Sequence, residues 1–244
     1  MESLAGKVIN DVSQILPSFK PLGVLAVGAE AALIDGTFLG WRVVAKYRYP
    51  KPYRNEKLDV RLRSRRTARE AKLILKALSV GVPVPAPILV DVQRGLLVIE
   101  KVEGERLKES IDKLGGEVER VFRTLGVYVG RLHQAGMIHG DLTTSNVILR
   151  NERITLIDFG LGDFTHELEA QGVDLHLFLR ALESTHPSLA KRLFSKLMDG
   201  YERVRGRDKR LEVENKIREI RMRGRYVVER RRKVLSPMGE EGVV

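Results

Sequence analysis

Apolar and polar positions change rhythm near Gly104, and that change organises the whole chain. Upstream the rhythm is short. Trp41 to Arg48 alternates with the period of two that puts successive side chains on opposite faces of a strand, and Pro50 and Pro52 end it. Leu22 to Leu33 reads as strand, a turn at Gly28, and a second strand; Ile88–Val92 and Leu96–Val102 read as an antiparallel pair turning at Arg94–Gly95. Between them lie a charged helix from about Leu58 to Leu78 and an extended connector, Val82 to Pro87, whose three prolines forbid a helix. Residues 1 to 20 hold at most a short helix ending before Pro17. Downstream the period lengthens to that of helices. Val118, Val121, Phe122, Leu125, Val129 and Leu132 form one apolar stripe, and Leu189, Leu193, Leu197, Tyr201 and Val204 form another after Pro187. A sheet-rich part followed by a helical part implies an α+β, two-lobed architecture. The divisions expected are an N-lobe over 1–102, a C-lobe over 103–222 and a basic C-terminal tail over 223–244.

Candidate chemistry falls in a second short-period island between the stripes. Val147–Leu149 and Ile154–Ile157 predict a hairpin turning at Arg150–Arg153. His139-Gly140-Asp141-Leu142-Thr143-Thr144-Ser145-Asn146 precedes it and Asp158-Phe159-Gly160 follows it. D-x-x-x-x-N, a hairpin and then D-F-G is the spacing of a phosphoryl-transfer site. The hairpin would return Asp158 to Asn146, so that both could hold one Mg²⁺. Asp141 is then the expected base or orienter for an attacking hydroxyl, and His139 a support of the loop. Gly140 stands where H-R-D has arginine, and no A-P-E follows Asp158. Asp174, in Val173-Asp174-Leu175, is expected to bond the catalytic-loop backbone from the N-terminal region of a helix.

Three further features fit the same chemistry. Lys46 closes Val43-Val44-Ala45-Lys46, close to the V-A-I-K whose lysine holds nucleotide phosphates. Glu70 shares a helical face with Leu73, Ile74, Ala77 and Leu78, and a carboxylate on an apolar face needs a cation. Lys46 is the natural partner, with Arg65, Arg66 and Arg69 as competitors. Gly28-Ala29-Glu30-Ala31 occupies the place of the phosphate-covering loop, although Glu30 should repel phosphate unless a cation takes it. Glu100 to Val102, at the lobe junction, should read adenine through main-chain groups. The set calls for ATP and Mg²⁺.

Composition narrows the partners. The 244 residues contain no cysteine, which excludes disulfides and thiolate metal sites and suits a reducing, cytoplasmic setting. Glu2, Lys7 and Asp11 interrupt any signal-peptide core, and the longest uncharged run, Ala77 to Val90, is too short for a bilayer, so no membrane association is expected. Net charge is +11, and the segment Arg205 to Lys233 carries thirteen basic residues against five acidic ones. Such a concentration favours phosphate-rich partners.

From Gly28 to Arg225 the chain resembles the small atypical kinase subunit of the KEOPS complex. The resemblance rests on Gly28–Ala31, Lys46-Tyr47-Arg48, Leu58-Asp59, Arg66 to Glu70, Gly81-Val82 with Pro85, His139 to Asn146, Asp158 to Gly162, Val173-Asp174-Leu175, Ser184 to Pro187 and Arg223-Gly224-Arg225. It implies a compact bilobal protein-kinase-like fold with a shortened C-lobe. It also implies a serine/threonine kinase or ATPase activity that supports threonylcarbamoyladenosine formation on tRNA. The implied partners are the threonylcarbamoyltransferase subunit, a small regulatory subunit and tRNA, reached through Arg223, Arg225, Arg230, Arg231, Arg232 and Lys233. Two departures stand out: Val27 where a polar residue is expected, and a chain that continues past Arg225. A tRNA- or protein-binding scaffold with a regulatory nucleotide site, and a small-molecule kinase, are the competing readings.

Overall fold

The computed structural model describes residues 3–235, with side chains to 223. Helix α1 (Leu4–Ile15) is capped by Ser3, whose hydroxyl accepts from the Gly6 amide at 3.1 Å. Strands β1 (Phe19–Val27), β2 (Ala32–Phe38) and β3 (Trp41–Tyr47) follow as an antiparallel meander, then helix α2 (Glu56–Ser79) and strands β4 (Pro87–Asp91) and β5 (Leu96–Glu100). The sheet order is β1-β2-β3-β5-β4. Strand β2 alternates buried and half-buried positions without a break, so Ala32, Ile34 and Phe38 face inward. Val8 and Val12 of α1 close over that face with Phe19, Tyr47, Leu96 and Val98. The first strand begins at Phe19, three residues earlier than its polarity pattern suggests, because Phe19 fills the space against Gly36.

Below the sheet lie a short strand β6 (Glu105–Arg106), a one-turn helix α3 (Leu107–Ser110) and helix α4 (Val118–Gln134). Strand β7 (Met137–Ile138) pairs with β10 (Asp163–Phe164), and β8 (Val147–Arg150) with β9 (Arg153–Leu156) and β6. Helices α5 (Leu168–Thr185), α6 (Pro187–Arg205) and α7 (Arg207–Leu235) complete the chain. All six α4 stripe positions are buried, as the spacing requires. Helices α4 and α6 meet backbone to backbone: a Cβ on Gly126 would stand 1.8 Å from the Leu197 carbonyl oxygen, and one on Gly200 1.9 Å from that of Arg123.

One core cluster runs from Ala71, Leu73, Ile74 and Ala77 of α2 through Leu97 into α4, α5 and α6. Helix α2 therefore shares its core with the C-lobe, which fixes the Glu70 face against the catalytic segments. Leu78 is 38 % exposed and lies off that face, contrary to the sequence pattern. Helix α7 passes position 223 without interruption and packs on α5 through Val213 and Ile217. No helix among the described residues is long and apolar enough to cross a membrane.

Candidate active site

A cleft of about 300 Å³ opens between the lobes, walled by Leu25, Leu33 and Val44 above and by Ile148, Ile157 and Phe159 below. Lys46 reaches into it from β3. Its Nζ donates to Glu70 Oε1 at 2.7 Å and to Asp158 Oδ1 at 2.7 Å, so one ammonium joins the upper sheet, helix α2 and the D-F-G segment. The glutamate is buried, and its other oxygen accepts from Arg48, a guanidinium only 3 % exposed that also donates to Thr67 at 3.2 Å. Arg48 is thus the second cation on Glu70, and Arg65, Arg66 and Arg69 are not. A signal for it existed: position 48 is two residues from Lys46, on the same face of an extended chain. Arg69 turns instead to Asp163 at 3.2 Å.

The hairpin brings the two motifs together. The Ile157 amide donates to the Asn146 carbonyl at 2.9 Å, so Asp158 begins one residue from that junction. Asp158 has φ +64°, a left-handed backbone rare outside glycine, and its carboxylate accepts from the Gly160 amide at 3.1 Å. Burial pushes this carboxyl up, but the charge and hydrogen bond of Lys46, with the Gly160 amide, outweigh it and hold it below the ordinary range. Asn146 Nδ2 donates to the Asp141 carbonyl and to Asp141 Oδ2, both at 2.8 Å, and the amide oxygen of Asn146 makes no hydrogen bond among the described residues.

The loop between Ile138 and Asp141 is built around His139 and Asp174. His139 Nε2 lies 3.0 Å from the Ile157 carbonyl, and its Nδ1 accepts from the Asp141 amide at 3.3 Å; the proton therefore sits on Nε2. The ring packs on Phe159, centroid to centroid 4.6 Å. Asp174 of α5 accepts from the His139 amide at 2.8 Å and the Gly140 amide at 2.9 Å, and faces His133 Nε2 at 3.3 Å. Burial pushes the Asp174 carboxyl up, but the hydrogen bond and charge of His133, with His139, hold it below the usual value. The sequence reading did not single out His133; it sits on the α4 apolar stripe and is fully buried, between Asp174 and the Tyr201 hydroxyl at 3.2 Å. Gly140 has φ +79°, and a Cβ there would lie 2.1 Å from the Leu161 carbonyl oxygen. That contact is why His-Gly-Asp stands here rather than His-Arg-Asp.

The Gly28–Ala31 turn is closed by the Gly28 amide on the Ala31 carbonyl at 2.9 Å. Glu30 turns away to Arg66 of α2 and to Arg54 at 3.4 Å, which hold its carboxyl low against the upward push of burial. At the lobe junction, the Glu100 amide is spent on Ala86 and the Lys101 amide on Arg42, at 2.9 and 3.1 Å. Among the described residues the Val102 amide has no such partner, and Val102 lines the cleft. Arg223 is bonded to Glu169 at 2.6 Å. The side chains of Arg225, Arg230, Arg231, Arg232 and Lys233 lie outside the described residues.

Comparison with known proteins bears on the family and the fold. Residues 39–166 match the family model for the RIO domain. The chain is 49 % identical over 186 residues to the KEOPS complex subunit Bud32 of Pyrococcus abyssi, covering 76 % of this chain and 84 % of that one. It is 41 % identical to a probable serine/threonine-protein kinase, a BUD32 homolog of Archaeoglobus fulgidus, covering 76 % of this chain and 89 % of the other. A probable bifunctional tRNA threonylcarbamoyladenosine biosynthesis protein of Methanothermobacter thermautotrophicus is 43 % identical over 84 % of this chain, which spans only 37 % of that longer protein. In fold, the chain superposes on the Rio2 kinase of Chaetomium thermophilum with a TM-score of 0.60 at 18 % identity, covering 88 % of this chain and 74 % of the kinase. Lys46, Glu70 and Asp158 meeting in the cleft of such a fold, with this degree of likeness in sequence, leads to one conclusion: the chain belongs to the Bud32 family of RIO-domain atypical kinases.

Proposed function

We propose that the chain is a Mg-ATP-dependent serine/threonine kinase and ATPase that works in a KEOPS complex, supporting threonylcarbamoyladenosine formation on tRNA. The observation that carries the catalytic part is the pair of 2.7 Å bonds from Lys46 to Glu70 and Asp158 at the cleft floor. Those bonds hold a cation where phosphate charge must be met. Val44, Leu33 and Ile148 supply apolar walls for a base, and the Val102 amide a donor to its edge. Gly28 lets backbone approach the phosphates, while Arg66 and Arg54 draw the Glu30 carboxylate aside.

The residues fit a magnesium ion, because Asp158 and Asn146 offer hard oxygen ligands on two segments joined by the Ile157–Asn146 backbone bond. Bound there, Mg²⁺ would neutralise phosphate charge. The rest is the work of the chain. Lys46 binds the phosphates and keeps Asp158 ionised; Asp141, steadied by Asn146, orients the attacking hydroxyl or water and receives its proton. His139 and Asp174 hold the loop so that this carboxylate does not drift.

Asp141→Ala is expected to lower ATP turnover and autophosphorylation by roughly 10²–10⁴-fold while nucleotide still binds. Unchanged turnover would end this reading. Measuring ATP consumption and phosphoprotein with and without the transferase subunit and tRNA separates hydrolysis from transfer. The basic helix α7, with Arg223, Arg225, Arg230, Arg231, Arg232 and Lys233, is our proposed contact for tRNA and the transferase. Its binding should weaken steeply with salt.

A further inference from the structure

The N-lobe has a second large cavity, on the other face of the sheet from the ATP cleft. Lys46 lines the cleft and Tyr47, its neighbour in β3, lines this groove, as adjacent strand residues must. The groove has a volume of about 810 Å³ and lies between α1 and the segment that joins β3 to α2. In it stands Lys51, 8 % exposed, with its ammonium 3.3 Å from the centroid of the Tyr49 ring. Among the described residues that ammonium makes no ion pair and no hydrogen bond. The lysine stem is buried while the ammonium opens into the groove, so a cation stacked only on a ring face has room beside it for an anion. Lys7 of α1 and Arg94 of the β4–β5 turn add two more positive charges to the lining. The single carboxylate lining the groove, Asp11, is turned to the Tyr47 hydroxyl at 3.4 Å, and Arg94 is paired at the rim with Asp91 at 3.1 Å. Tyr53 contributes a ring that is 75 % exposed, with the Arg54 guanidinium over it at 5.4 Å from its centroid.

We infer that this groove is a binding site for a nucleotide phosphate, its phosphoryl oxygens on Lys51 and Lys7 and its base against the ring of Tyr53. An unpaired ammonium on a buried stem, next to an exposed aromatic ring, is the chemistry that a phosphate ester of a nucleoside satisfies, whether free or within an RNA strand. The site is wired to the catalytic cleft. The Tyr49 hydroxyl donates to the Gly28 carbonyl at 3.0 Å, and Arg54, three residues past Lys51, reaches Glu30 at 3.4 Å. An anion that draws Lys51 off the Tyr49 ring therefore acts on both ends of the phosphate-covering loop.

The test uses the full chain with its ATP cleft filled by a non-hydrolysable ATP analogue and Mg²⁺. Inorganic phosphate, uridine 5′-monophosphate and a short oligouridylate are titrated at constant ionic strength, and amide chemical shifts are followed. Saturable shifts are expected at Lys7, Lys51 and Tyr53 with an accompanying shift at Gly28, and the monophosphate should bind more tightly than phosphate. Lys51→Met should weaken both by roughly tenfold or more, the loss of one charge-assisted contact. Lys7→Gln, on an exposed position, should weaken both by a smaller factor without touching the core. Tyr49→Phe should keep the binding and lose the Gly28 response. Tighter binding of the oligonucleotide than of the monophosphate assigns the site to RNA; equal or weaker binding assigns it to free nucleotide. Absence of saturable shifts, or affinities unchanged in both lysine variants, would overturn the proposal.

Discussion

Asp174→Asn isolates what holds the catalytic loop, because the substitution changes no volume. The aspartate uses one oxygen for the Gly140 amide at 2.9 Å and the other for the His139 amide at 2.8 Å, with His133 at 3.3 Å beside it. Asparagine keeps one oxygen and presents an NH₂ group in place of the other. Whichever way it turns, one buried backbone N–H faces a donor. A hydrogen bond to a charged group contributes about 1.5–3 kcal/mol, and a stranded donor costs about 1–3 kcal/mol. Allowing for overlap between the two, we expect a loss of about 2–4 kcal/mol, or roughly 30- to 1,000-fold in the folding equilibrium. Urea unfolding at neutral pH measures it, and ATP turnover should fall as well, since the left-handed turn at Gly140 loses its anchor. The pH dependence gives an independent check. Because the folded state holds the Asp174 carboxyl below its ordinary 3.8, the unfolded chain takes up its proton first. The stabilisation is complete above that ordinary value and disappears as pH falls through the depressed one. The variant should lack this part of the acid limb. An asparagine variant as stable as the parent, with the same acid limb, would refute the argument.

Lys46→Met removes the ammonium that offsets burial at Asp158, so that carboxyl should rise and the acid limb of Mg-dependent nucleotide binding should move to higher pH; a limb that stays in place contradicts the assignment. Gly126→Ala drives a methyl into the Leu197 carbonyl and should cost about 3 kcal/mol, at the top of the overpacking range, in a denaturant titration. Gly116→Ala, with nothing within 4 Å of its Cβ, should stay within about 0.5 kcal/mol of the parent, and equal losses at both positions would sink the close-packing account.

Much of this structure was legible in the chain because its signals are local. The strands of the upper lobe, the two stripes of α4 and α6 and the hairpin between the catalytic motifs all follow from periodicity, and their motifs name the side chains that converge on the cleft. Helix α5 was legible only as a helix beginning near Asp174 and not in its extent, since its burial is divided between α6, α7 and the catalytic loop and leaves no single apolar stripe. Arg48 escaped for a related reason. A guanidinium beside a strand looks like a solvated residue until Glu70 and Thr67 are brought to it from a helix 19 to 22 positions away.

By itself the sequence determined the order of elements and the identity of the groups able to carry phosphoryl transfer, because residue spacing and side-chain chemistry are properties of neighbours along the chain. Only the tertiary structure decided which charges neutralise which. Glu30 goes to Arg66 and Arg54 rather than toward the nucleotide, Glu70 takes Arg48 as well as Lys46, and Asp174 meets His133 as well as the loop amides expected of it. Such pairings depend on where helices α2 and α5 are set by a core shared between lobes, and burial makes each of them costly to leave unmade.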